Sequence, residues 1–173
     1  MTLLRCYLYR EKVVVPTVKQ TEAGFYVDSL PVQVHAIKDR ENLRAELIKA
    51  ICLHNEIVPT PTHNQEAGSV ILDKLGLAKW SSFEKSAVMY TILLGGRYTT
   101  IYSSGRGADG MWSESGSGQR LFHPSVNLEV LADILMEDMC KRPEASAERF
   151  SLAVVPKPTT AESTTGQERA SES

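Results

Sequence analysis

No stretch of this 173-residue chain approaches the roughly 18 uncharged residues that a membrane-crossing helix needs, so no membrane span is expected. Cysteine is scarce. Cys6, Cys52 and Cys140 are odd in number and far apart, with no CxxC pair or Cys/His cluster, which leaves no disulfide framework and no zinc-finger spacing. They read as reduced, mostly buried small hydrophobes, as in a cytosolic protein. A surplus of one charge is also missing, since 19 basic residues stand against 21 acidic ones for a formal charge of -2. Nucleic acid and anionic membrane therefore have no bulk electrostatic argument as partners. The opening MTLLRCYLYREK has too short an apolar run and the wrong charge order for a secretory signal. The expected location is the cytoplasm.

What is present fits one ordinary domain. The chain is 42% hydrophobic and 23% charged, near the average for globular proteins. Its first third alternates as half-buried strands do: Leu4, Cys6 and Leu8 share one parity, and Val32, Val34 and Ala36 repeat the pattern. Pro16 cannot donate to a ladder, so the strand of Val13 to Val15 should lie at an edge or break there. QTEAG at 20–24 reads as the turn between two antiparallel strands, with Gly24 free to take a positive φ.

The period then becomes helical. Leu43, Leu47, Ala50 and Ile51 form a stripe with charged residues opposite, Asp39 is the expected N-cap, and the helix should end near His54 and Asn55. Pro59 and Pro61 turn IVPTPTHNQEAG into an extended loop, and a short apolar piece, Val70 to Leu75, stops at Gly76. Ser81 and Glu84 are spaced as a capping box with Trp80 as staple. TILLGGRYTTIY reads as a hairpin through Gly95-Gly96. The last helix is expected from a cap at Ser125 or Asn127, with Leu128, Leu131, Ile134, Leu135 and Met139 as its stripe.

From Lys141 onward Ser, Thr, Glu, Ala and Pro dominate, and residues 158–173 carry no large apolar side chain. The expected organisation is a single α+β domain at 1–140, an antiparallel or mixed sheet with two or three helices on one face, followed by a disordered tail at 141–173.

No catalytic signature stands out. His35, His54, His63 and His123 have no i, i+4 partner for a zinc site, so no metal and no cofactor is expected. His54 or His63 with Glu56 or Glu66 could still serve as a loop-borne acid/base pair, which keeps a small enzyme as an alternative. Gly105-Arg106-Gly107-Ala108-Asp109-Gly110 exposes backbone N–H groups like a phosphate cradle, but lacks a GK[ST] ending and a following helix. Tyr7, Tyr9, Phe25, Tyr26, Tyr90, Tyr98 and Tyr102 could stack bases on a sheet face, a third alternative without the motifs of such readers.

One segment conflicts with itself. Residues 103–119 have the glycine and serine of a mobile loop yet hold Met111 and Trp112, which some surface must cover. Either GMWSES pairs as a strand beside YTTIY, or Arg106, Asp109, Met111, Trp112 and Glu114 form a partner-binding surface with Trp112 as anchor.

In VVVPTVKQTEAGFYVDSLPVQV, IVPTPT, WSSFEK and GMW, over about residues 7–137, the chain resembles small bacterial immunity proteins of contact-dependent growth inhibition. The resemblance implies a cytoplasmic protein that binds and blocks the toxic C-terminal domain of a delivered effector. The expected function is thus protein binding rather than catalysis, with a toxin domain as the implied partner.

Overall fold

The structure, a computed structural model, describes residues 1–61, 68–106, 112–114 and 119–142. The elements in chain order are β1 (Thr2–Tyr9), β2 (Lys12–Thr21), β3 (Tyr26–Ala36), α1 (Arg40–Cys52), β4 (Ile57–Val58), α2 (Ser69–Leu75), α3 (Trp80–Glu84), β5 (Ala87–Leu94), β6 (Thr99–Arg106), β7 (Trp112–Glu114), β8 (Arg120–Phe122) and α4 (Leu128–Lys141). They form one mixed sheet ordered β3-β2-β1-β5-β6-β7, with β4 beside β2 and β8 beside β6. All pairs are antiparallel except β2 with β4. The protein is an α+β fold, as its hydrophobic periods imply.

Alternation along the central strands builds two cores. Leu4, Cys6 and Leu8 face one side with Val13, Val88, Tyr90 and Ile92, where α1 and α4 cover them through Leu43, Leu47, Ile51, Leu131, Leu135 and Met139. Tyr7, Tyr9, Val14 and Val32 face the other side, under Ile71 and Leu72 of α2 and Phe83 of α3. The two long helices share a face as expected, while the two short ones add cover to the opposite face, which the sequence reading did not include. A seven-residue helix shows too few turns for periodicity to reveal its buried side.

Local chemistry explains most boundaries. The turn after β2 places Gly24 at φ 92°, and α2 stops on Gly76 at φ 65°. Asn127 caps α4 by accepting from Glu129 N–H at 2.8 Å. Asp39 is the N-cap of α1 but its carboxylate accepts from the Asn42 side chain instead of a backbone N–H. The expected capping box is corrected: α3 begins at Trp80 with Lys79 as N-cap, and no side-chain cap bond forms there. Glu84 is drawn away, because its Oε1 accepts from Trp80 Nε1 at 2.6 Å.

Pro16 lies in a central strand, and the predicted break is how the sheet accommodates it. Pairing with β1 covers only Lys12 to Val14, and the register with β3 shifts between Pro16 and Thr17. Of the three free thiols only Cys6 is buried, while Cys52 and Cys140 near the helix C-termini are exposed, so the expectation of mostly buried cysteines fails. No described helix is long and apolar enough to cross a membrane.

Candidate functional site

The face under α2 and α3 changes character away from them. Register puts Arg5 opposite Thr91 and Thr91 opposite Tyr102, and puts Ser104 across Met89 from Tyr7. Thr91, Thr100 and Ser104 are buried in this row. Above it Asp28 of β3 reaches over β2 to both β1 partners, accepting from Arg5 Nη1 at 3.1 Å and from the Tyr7 hydroxyl at 2.5 Å.

The Asp28 side chain is only 5% exposed. Burial raises its pKa, and the neighbouring Arg5 and Tyr7 recover only part of the rise. Burial also lifts the Tyr7 hydroxyl well above its ordinary value, reinforced by the Asp28 charge. Desolvation pulls Arg5 down, yet Asp28 and Tyr7 together carry it above its usual value. Asp28 thus serves as an acceptor for two donors. The cluster ties the edge strand β3 to β1, although Arg5 Nε is buried without a hydrogen-bond partner among the described residues.

A second cluster closes the other face where α4 ends. Asp138 accepts from the Tyr90 hydroxyl at 2.8 Å and from Arg120 Nη2 at 3.0 Å, while Arg142 Nη2 donates to Ser103 Oγ at 2.7 Å. Burial raises the Tyr90 hydroxyl, with the Asp138 hydrogen bond second. Ser103, Arg120 and Asp138 line a cleft of about 10 Å³, at the lower limit for one water. A phenol held protonated and a carboxylate between two guanidiniums bind each other, and they leave room for nothing larger.

Asn55 makes a third polar device. Its Oδ1 accepts from Leu3 N–H at 2.7 Å, and its Nδ2 donates to the Leu3 and Val18 carbonyls, both at 2.9 Å. The side-chain amide thereby stands in for a strand residue where β1 and β2 part. Sequence reasoning placed Asn55 only at a helix end, since nothing in the chain signals a splayed ladder.

The predicted site residues fall as follows. Arg106 ends β6, and Trp112 to Glu114 form β7 with Trp112 opposite Arg106 and Glu114 opposite Ser104. Trp112 to Glu114 therefore pair with β6, but along Ser104 to Arg106, past the YTTIY stretch at 98–102, where Thr99 to Ile101 pair with β8 instead. Asp109 and Met111 lie outside the described residues, as do His63 and Glu66 of the alternative acid/base pair. His54 is exposed, and Glu56 is held by Lys19 at 2.8 Å. Among the described residues no group of His, Cys, Asp and Glu is placed to hold a metal. The aromatic sheet face is corrected too: Tyr7, Tyr9 and Tyr90 are buried in the two cores, and only Phe25 and Tyr98 of the seven stand well exposed.

No family model and no curated protein matches the chain. Its fold is similar to the solved structure of a protein of unknown function, NMB0488 from Neisseria meningitidis, at a TM-score of 0.57 and 12% identity, covering 81% of this chain and 95% of that one.

Proposed function

We propose that this chain is a cytoplasmic protein-binding module of the immunity type, which holds and neutralises a toxin domain. Arg106, Asp109, Met111, Trp112 and Glu114 form the contact surface in this reading. The observation that supports it most is the place of β7. Trp112 to Glu114 form the last strand in the sheet order, paired with β6, so the segment is anchored to a rigid sheet at its outer edge. An anchor on a fixed edge loses little conformational freedom on binding. The resemblance in VVVPTV, IVPTPT and WSSFEK gives the partner its class.

The test is affinity capture with the full chain from its native cell. One stoichiometric protein partner is expected, and capture should be lost with Trp112→Ala. Co-purifying nucleic acid without a protein partner would overturn the proposal.

A further inference from the structure

Two hairpin turns and a short strand meet at the end of the sheet where β1 begins. In the β2–β3 turn Thr21 N–H donates to the Phe25 carbonyl at 2.7 Å, and Glu22 N–H donates to the Val58 carbonyl of β4 at 3.0 Å. Thr2 of β1 stands opposite Leu94 of β5, which stands opposite Thr99 of β6, so the β5–β6 turn opens at the same end. Between the two turns Asn55 spans Leu3 and Val18, which brings the C-terminus of α1 and the start of β4 into the gap.

This end carries much of the exposed apolar surface. Of the eight large apolar side chains that stand well exposed among the described residues, five lie here: Met1, Phe25, Leu53, Ile57 and Tyr98, each between 49% and 77% exposed. A fully exposed large side chain offers about 200 Å², so these five present roughly 600 Å², close to the about 800 Å² that each partner gives to an interface of standard size. A monomer seldom gathers so much in one place.

The charges at the rim are arranged for self-recognition. Lys19 and Glu56 neutralise each other at 2.8 Å. Glu22 in the β2–β3 turn and Arg97 in the β5–β6 turn are exposed, and neither has an ion pair among the described residues. They flank the apolar residues on opposite sides, three to four strand spacings or about 15–20 Å apart.

We propose that this end of the sheet docks against the same end of a second copy in a two-fold dimer. A two-fold axis through the middle of the patch lays apolar residues on apolar residues and brings Glu22 of each copy to Arg97 of the other, so one operation answers both unpaired charges. Opposite charges on opposite flanks are what a surface complementary to itself requires. The β7 segment pairs at the far end of β6, along Ser104 to Arg106, so the dimer leaves the contact surface proposed above open on each copy.

Sedimentation of the full-length chain over a range of concentrations tests this. A reversible monomer–dimer equilibrium is expected. Ile57→Asp, a change at an exposed position that should leave the circular dichroism of the fold intact, should weaken the dimer at least about tenfold. Glu22→Arg and Arg97→Glu should each do the same, at least about tenfold, because a two-fold contact repeats every like-charge clash twice. Both reversals in one chain should restore the dissociation constant to within about threefold of the native value. A native chain that sediments as a monomer up to about 100 µM would overturn the proposal. So would a dimer that withstands Ile57→Asp or the single reversals, or a double reversal that dimerises no better than the single ones.

Discussion

At the scale of single residues, the informative side chains are polar ones in apolar surroundings. Asp28→Ala should cost about 3 kcal/mol in a denaturation experiment, because it leaves Arg5 with no counter-charge in a mostly buried site. Asn55→Ala should cost roughly 2 kcal/mol, since one side-chain amide serves three backbone groups.

Acid stability separates two kinds of carboxylate. Asp133 and Glu137 are held below their ordinary values by hydrogen bonds to Arg44 and Lys141, so what they contribute is lost as pH falls through their folded values. Asp28 acts in the opposite sense. Its folded pKa lies above the ordinary 3.8, so its contribution is full below 3.8 and is lost as pH rises through the folded value. Asp28→Asn removes this opposing trend, and its stability should fall more steeply than the parent's on acidification just above pH 3.8. Parallel curves in that window would show that Asp28 is not desolvated. The thiols give a simpler check: burial pushes Cys6 far above its usual range, so a thiol reagent should modify Cys52 and Cys140 in the folded protein and Cys6 only after unfolding.

At the scale of elements, the capping signals separate what the sequence reveals from what it hides. The cap of α4 was legible as Ser125 or Asn127, of which the structure uses Asn127, because a cap needs only one short side chain and the N–H two residues on, a contact wholly local to the helix start. Asn127→Ala should cost about 1 kcal/mol. Ser81 had an equally good local pattern and does not cap, because Trp80 is drawn into the aromatic cluster with Tyr7 and Phe83 and takes Glu84 with it. Ser81→Ala should therefore change the unfolding free energy measured by denaturation by less than about 0.5 kcal/mol. The long stripes of α1 and α4, the turn at Gly24 and the stop at Gly76 were legible for the same reason as Asn127. The pairing of β2 with β4, the bridge of Asn55 and the span of Asp28 to β1 were not, because each joins residues more than 20 positions apart.

At the scale of the whole molecule, strands and long helices sufficed to give an α+β sheet protein, but sequence periods do not say which strands meet. That choice puts Trp112 at the end of the sheet, and it leaves the residue two roles that a single pair of measurements separates. If Trp112 only completes the sheet, Trp112→Ala should lower the melting temperature by several degrees, as a lost core aromatic does in a chain of this size, while the folded fraction keeps its affinity for the partner. If Trp112 is the anchor of the contact surface, the melt should move little and affinity should fall by at least about thirtyfold, the equivalent of 2 kcal/mol. The strand pairing of Trp112 to Glu114 does not decide between these outcomes, because the backbone of an edge strand can be fixed by one neighbour while its side chains serve another. We expect the second outcome, since β7 contributes only three paired residues to the sheet. A large loss of stability with full affinity would move the partner surface away from this edge.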